Sequence, residues 1–482
     1  MRRLVRTTAT IVAASLMALS AGCEKEPLPT KLEVNCSEIL LHGAAGSETT
    51  FTVTASGSWE LEISGDGYDA APASGKQGET VVTVTATRTN EGSSREMLGV
   101  LTLRPHRNGE ELTLAVAQNP EGGQTVLMYL PWSGNLTGYF RQNIADMEQV
   151  VARGGLDGAR LLVYFMESAS TATLFELTAR DGACERREAA RYDRAPDFTT
   201  AEGLRTIFGA VKREAPADRY GLIIGCHGMA WLPADEAAGR AAGAREREYW
   251  EYEAEGRPLT RWFGGTSAAH RTDIATLAEG IRLAGMPMEY ILFDDCYMAS
   301  VEVAYELRGV AQHLIGSTSE IMAYGFPYAE LGQHLFGEVD YEAVCEAFHR
   351  FYASYQYPYG TIGAIDCAQL EALADVMRRI NERYAFTGEE GDLQSLDGYT
   401  PVRFFDMGDY VGRLCPDAAL AAEAGERLRA AVPHHRHTER YYSATSGSHP
   451  IRTFSGITTS DPSTAPLTVD AKRRTAWWRA TH

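Results

Sequence analysis

The sequence predicts an α/β protein, with a mostly parallel sheet flanked by helices and a small all-β sandwich ahead of it. Three observations carry this. Over residues 31–119 apolar and polar residues alternate in short runs, the period of half-buried antiparallel strands. After Gly123 the strands become continuously apolar and alternate with helical patterns, as in a parallel sheet covered on both faces. Two of these apolar runs, GLIIGCHGMAW (221–231) and YILFDDCYMAS (290–300), stop abruptly at a reactive side chain, His227 and Cys296.

The chain has 482 residues, more than one compact core accommodates at roughly 100–200 residues per domain. Its hydrophobic fraction of 44% is ordinary for a globular protein. A formal net charge of -19 with no basic stripe argues against a nucleic-acid partner. Arg2, Arg3 and Arg6 precede a short apolar stretch at residues 7–19, then Ser20, Ala21, Gly22 and Cys23. That order reads as an export signal, too short for an ordinary membrane span. Removing Cys23 from the eight cysteines leaves seven, with no CxxC pair and no zinc-like grouping. At least one free thiol is expected.

Residues 24–30 are polar with prolines and read as a tether. In the sandwich, residues 50–54 (TFTVT), 81–87 (VVTVTAT), 100–103 (VLTL) and 112–116 (LTLAV) are the strands, with Gly, Ser and Asn between them. Residues 120–123 (PEGG) form a linker, and residues 123–482 the second domain. There, 125–130 (TVLMYL), 160–166 (RLLVYFM), 220–226, 289–293 and 313–316 read as strands. Helical spacing is found at 136–152, with Ile144, Met147, Val150 and Val151 on one side, and again at 203–211, about 275–284 and 299–307. Residues 235–261, rich in Ala, Gly, Glu and Arg, read as a long exposed loop between the His strand and the Cys strand.

In open parallel sheets, sites form beyond the carboxyl ends of the strands. His227 and Cys296 both stand there, so adjacent strands would bring thiol and imidazole together. A free thiol titrates near ~8.5 and is only slightly ionised at neutral pH. A nearby imidazole takes its proton or stabilises the thiolate, then protonates the leaving amine. Gly228, without a side chain, would let its backbone N–H approach a developing oxyanion, with the Cys296 N–H as second donor. A helix starting near Ala299 would aim its N-terminal dipole at the sulfur. His434, His435 and His437 lack Cys or carboxylates at ligand spacing and read as a solvated, helix-ending stretch rather than a metal site. Thr272 or Asp273 reads as the cap of the helix near Ile274.

The block DDCYMASVEVAYEL (294–307) resembles the signature of clostripain-like cysteine peptidases, D-x-C followed by M-x-x-V-E-x-A-Y-E-L. GCHGMAW is similar to their H-G-x-G-W element at His227, Gly228 and Trp231, with Ala230 in place of the second Gly. TVLMYLPWSGNL, FFDMGDYV, FSGITTSDPS and TAWWRATH extend the resemblance over about residues 123–482. It implies a caspase-like α/β fold and a Cys–His dyad, with Cys296 as nucleophile, His227 as base and acid, and no required third member. It also implies preference for Arg or Lys before the scissile bond, read by acids near the dyad. Asp294 occupies the D of D-x-C; its alternative is a strand-end carboxylate capping backbone N–H groups. Where some members carry a second acid this chain has Tyr324, with Glu320 four residues earlier, which leaves aromatic or small residues open at that subsite. Internal cleavage activates some members, and Arg240, Arg245 and Arg247 are the candidate self-processing residues. Some respond to calcium, but no EF-hand spacing supports that here, and no cofactor is expected.

The export signal resembles the lipobox of bacterial lipoproteins, with Ser20 where Leu is usual, which implies lipidation of Cys23 and an outer-membrane or cell-surface location. The sandwich, with Trp59, Arg95 and Gln118 as landmarks, resembles BACON modules and implies a spacer or a contact with glycans or protein. The expected function is therefore an exported, lipid-anchored cysteine endopeptidase acting on peptides or proteins. Its rivals are an inactive peptidase-fold scaffold and a thiol hydrolase of small amides.

Overall fold

The computed structural model describes residues 29–36, 38–92, 95–232, 264–265 and 268–482. Cys23, Arg240, Arg245 and Arg247 lie outside the described residues. The described chain separates into two compact units, the first within Met1–Leu41, Glu48–Thr87 and Met97–Ala117, the second within His42–Ser47, Arg88–Glu96 and Gln118–His482.

The first unit is all β. One sheet joins Leu32–Val34, Glu48–Ala55, Gly78–Ala86 and Tyr68–Ala71; the other joins Glu38–Leu41, Leu112–Gln118, Glu96–Pro105, Trp59–Gly65 and Ser74–Gly75. The alternation read from the sequence is the burial pattern. Phe51, Val53, Val82 and Val84 are buried from one sheet, Trp59, Leu101, Leu103 and Val116 from the other, and together they form one core. Polar residues between them face outward.

The second unit is built on nine strands: β1 (Gln124–Leu130), β2 (Arg160–Met166), β3 (Ala172–Arg180), β4 (Ala183–Tyr192), β5 (Arg219–Gly225), β6 (Met288–Asp294), β7 (Ala311–Gly316), β8 (Thr361–Asp366) and β9 (His434–His437). Their order across the sheet is β4-β3-β2-β1-β5-β6-β7-β8-β9. The five central strands, β2 to β7 in that order, are parallel. Two antiparallel strands extend the sheet on each side. The continuously apolar sequences of β1, β2, β5 and β6 follow from their central position, where both faces are covered. The antiparallel edges were not expected from the sequence. In β4 (ACERREAARY) every residue is exposed or half-buried, so the strand carries no apolar stripe.

The helices that position the site are α1 (Thr137–Ala152) after β1, α2 (Ala201–Glu214) before β5, α3 (Ile274–Ala284) before β6 and α4 (Val301–Leu307) after β6. The strand order reverses between β1 and β5, because the chain runs outward from β1 to β2 and then returns to the other side of β1. A crevice at the carboxyl ends of β1, β5 and β6 is the place a parallel sheet offers a ligand.

Two local expectations are corrected, and the cap expected for α3 is met in position. The histidine tract is not a helix end: the preceding helix closes at Ala431, and His434–His437 form an edge strand paired with β8. Asp273 occupies the cap position of α3 without a side-chain bond into the helix, while Thr272 Oγ1 donates to the Phe198 carbonyl. The helix expected from Ala299 begins at Val301 and has seven residues. Among the described residues every cysteine is free, no group of side chains could hold a metal ion, and no helix is long and apolar enough to cross a membrane.

Candidate active site

β5 and β6 pair in parallel register up to Gly225 opposite Asp294. His227 lies two residues beyond Gly225, and Cys296 two beyond Asp294. The two side chains therefore leave neighbouring strand ends at the same level. The backbone confirms how close these ends are. A Cβ added at Gly228 would stand 2.4 Å from the Cys296 carbonyl oxygen, 2.8 Å from its nitrogen and 2.9 Å from Asp295 Cβ. Only glycine fits, and it fits because the peptide after His227 lies on the peptide of Cys296.

Residues that the sequence did not mark hold this arrangement. Across the two strand ends, the Cys226 N–H donates to Asp295 Oδ1 at 2.6 Å, with Asp295 wholly buried. His227 Nε2 is 2.9 Å from Asn135 Oδ1, in the turn after β1. The Ile321 N–H donates to Cys296 Sγ at 3.4 Å, a bond that favours the ionised sulfur. Three adjacent strands, β1, β5 and β6, thus deliver Asn135, His227 and Cys296 to one place. The Asn-Leu ending of the loop after β1 was visible in the sequence, but nothing local connected it with the imidazole.

Cys296 is followed by Tyr297 at φ 65, a conformation bulky residues rarely adopt. The ring is stacked on Phe404, with centroids 5.0 Å apart, and its hydroxyl donates to Glu320 Oε1 at 2.8 Å. Burial keeps that hydroxyl protonated by raising its pKa well above the ordinary value. Glu320 also accepts from the Ser443 hydroxyl at 3.0 Å and from the Ala444 N–H at 2.9 Å. It is 1% exposed, and its contacts brace the turn after Cys296.

Asp294 faces the next loop: Oδ1 accepts from the Phe326 N–H at 3.1 Å and Oδ2 from the Tyr328 hydroxyl at 3.0 Å. Capping of a backbone N–H, the alternative weighed for this residue, is therefore one of its tasks. Tyr324 lies between the two anchored amides of that loop, and its hydroxyl donates to Asp146 at 3.1 Å. On the far side, Trp231 Nε1 donates to Ser460 Oγ at 3.0 Å, and the Ser460 N–H donates to Glu302 Oε1 at 2.6 Å. This ties the His227 loop to α4 through the FSGITTSDPS segment. Burial, reinforced by Asp461, pushes the Glu302 carboxyl up to about 7.

His227 and Cys296 have no exposed surface in this chain. The Gly264 carbonyl accepts from the His227 N–H at 3.1 Å in an isolated bridge.

Ala230 takes φ 52, which explains why a Gly suits that position of the H-G-x-G-W pattern. A left-handed alanine costs roughly 1 kcal/mol, partly offset by the stiffer unfolded chain. Ala230→Gly is therefore expected to raise stability by about 0.5–1 kcal/mol in a urea melt and to leave the site geometry intact.

A mixed sheet of this order with a thiol and an imidazole at neighbouring strand ends is the framework of an α/β cysteine hydrolase. Residues 128–392 match the model of the clostripain family. A secreted C11 cysteine protease from Bacteroides thetaiotaomicron, iotapain, is 51% identical, with 75% of this chain and 99% of that chain covered and a TM-score of 0.69. An inactive zymogen C11 protease from Parabacteroides distasonis is 27% identical, covering 74% of this chain and 98% of that one at a TM-score of 0.63. A search of the curated proteins finds no match. The chain belongs to the clostripain family and is a cysteine peptidase.

Proposed function

We propose that the chain is an exported, lipid-anchored endopeptidase that cleaves peptide bonds through Cys296 and His227. The observation that carries this is the contact of Gly228 with the Cys296 peptide at the ends of two paired strands. Cys296 Sγ attacks the scissile carbonyl carbon, and His227 passes the thiol proton to the departing amine. The Gly228 and Cys296 N–H groups hold the oxyanion of each tetrahedral intermediate. Water then hydrolyses the thioester with His227 as base. Asn135 orients the imidazole through Nε2.

Preference for Arg or Lys is supported by Asp294 beside the nucleophile. Export is supported by Arg2, Arg3, Arg6 and the apolar stretch before Cys23, and by the secreted relative. Lipidation of Cys23 would anchor the chain, with the sandwich as a spacer.

The burial of the dyad supports reading the uncut chain as a precursor. We read release of the Gly264 bridge to His227 as the step that opens a route to Cys296. A cut at Arg240, Arg245 or Arg247 would free the segment leading to that bridge.

The test is a positional library of fluorogenic peptides, offered to the soluble chain once its mass shows it cut after Arg240, Arg245 or Arg247, and to Cys296→Ala cut in the same way, under reducing conditions, with and without calcium. Cleavage by the wild type alone, with Arg or Lys preferred, is the expected result. Cleavage by both proteins, or by neither, would overturn the reading.

A further inference from the structure

Glu302, on α4, is an acid that thiol–imidazole chemistry does not itself require, and it is 2% exposed. Its Oε2 accepts from the Ser300 hydroxyl at 2.5 Å. Its Oε1 accepts from the Ser460 N–H at 2.6 Å and from the Thr459 hydroxyl at 3.3 Å. All three partners donate to the carboxylate, which is the pattern an anion accepts best. Residues 458–461 are thereby strapped to the stretch that follows Cys296. The Thr458 N–H donates to the Ala299 carbonyl at 2.9 Å, and Thr458 bridges Ser300 in parallel register. From the other side Lys472, 7% exposed, donates through Nζ to the Asp461 carbonyl at 2.6 Å and the Ser463 carbonyl at 3.0 Å. A negative charge at an N–H and a positive charge at the carbonyls beyond it polarise the strap in the same sense.

The strap also reaches the His227 loop, because Ser460 Oγ accepts from Trp231 Nε1 at 3.0 Å. That loop is held before the imidazole by the Cys226 N–H on Asp295, and after it by the Trp231 indole on Ser460. His227 and Gly228 lie between the two. The charged groups facing Glu302 are Asp461 in the strap and Lys472 at the end of the helix Pro466–Lys472. Asp273, Glu306 and Arg474 stand around a cavity of about 190 Å³ that Trp231 and Glu302 also line, roomy enough for water to carry a proton to the buried acid. From the C-terminal helix Ala476–Thr481, Trp477 Nε1 donates to Asp461 Oδ2 at 3.3 Å. Two carboxylates are thus buried against one ammonium, and among the described residues Asp461 Oδ1 accepts no hydrogen bond. Burial first, then Asp461, raises the Glu302 carboxyl to about 7. The anion is present above neutrality and gives way to the acid below it.

We propose that Glu302 is a positioning residue for His227: as the anion it fixes Ser460, and Ser460, through Trp231, fixes the loop that carries the imidazole and Gly228. The proposal rests on the peptidase reading of Cys296 and His227. It gives one charge opposite effects on stability and turnover. A carboxyl raised from 4.5 to about 7 in the fold keeps a proton that the unfolded chain has released, so stability falls as pH rises across that window. Turnover follows the anion and rises across the same window.

The experiment compares the wild type with Glu302→Gln, its neutral isostere, both cut after Arg240, Arg245 or Arg247 by themselves or by added trypsin. At about pH 8 the variant is expected to show a roughly tenfold lower kcat, with KM held within about threefold. At about pH 5.5 the wild type carries the proton too, and the two kcat values should agree within about twofold. The ratio at each pH cancels the titration of His227, which both enzymes share. The Tm of the variant at about pH 8 should be the higher one. Trp231→Phe and Ser460→Ala remove the indole bond from either side. Each should lower kcat at about pH 8 to a similar extent, and the double variant little further. A ratio independent of pH, a loss of kcat matched by a lower Tm at both pH values, or additive losses in the double variant would overturn the proposal while leaving the peptidase intact. A second arm needs no turnover. The pH midpoint of Cys296 alkylation by iodoacetamide, located by peptide mapping, should move in all three single variants. If the wild type cleaves nothing but the midpoint moves, the peptidase reading fails and the positioning of the imidazole stands. An unmoved midpoint overturns the positioning.

Discussion

Cys296→Ala is expected to reduce peptide hydrolysis by about 10⁴–10⁶ in kcat, to the level left by binding and the oxyanion donors. In the proposed mechanism the sulfur forms the bond that divides one difficult step into two. His227→Ala should cost nearly as much, because in the proposed mechanism thiol deprotonation and leaving-group protonation both pass through its ring. The double variant should lose little more than either single one, since the two residues act as a unit. Progress curves of the competent enzyme with a fluorogenic peptide measure all three. His227→Ala should also slow alkylation of Cys296 by iodoacetamide, whereas Asn135→Ala, which leaves the base in place, should slow it less.

Gly228→Ala has the second-largest expected effect, and its cause is steric. The added methyl would fall 2.4 Å from the Cys296 carbonyl oxygen and 2.8 Å from its nitrogen. Both are backbone atoms, which cannot rotate aside, and Asp295 pins the same strand ends through the Cys226 N–H. The strand ends must part, and the two amides proposed as oxyanion donors then no longer converge on one point. Loss of one such donor costs about 10²–10³ in kcat. Gly228→Ala should reach at least that, with KM changed much less because the donors act on the transition state. Thermal unfolding should show a lower Tm as well. A variant with wild-type kcat would remove the oxyanion role from Gly228.

Much of this site is legible in the sequence for a physical reason. Central strands of a parallel sheet are covered on both faces, so β5 and β6 are unbroken apolar runs, and the residues that end them stand out. The outer strands carry no such mark. β4 is half charged and mostly exposed, and β9 is three histidines and an arginine, so the sheet's antiparallel edges are invisible until the partners are known. The supporting contacts are hidden for a related reason. Asn135 is 92 residues from His227, and Ser460 is 229 from Trp231. Hydrogen bonds between such distant residues leave no local spacing to read. Asp295 was seen only as part of a D-x-C block, although its own carboxylate joins the two strands. Glu320 was expected near the substrate because it is an acid close to Tyr324 in sequence. Its oxygens meet Tyr297, Ser443 and Ala444, and an acid from α1, Asp146, accepts from the Tyr324 hydroxyl.

The most direct measurement is the mass of the competent enzyme after treatment with a peptidyl acyloxymethyl ketone ending in lysine, followed by peptide mapping. One adduct per chain, on Cys296, absent from Cys296→Ala and slowed in His227→Ala, is the predicted result. An adduct on another cysteine, or none on Cys296 in an enzyme that still hydrolyses peptides, would contradict the account.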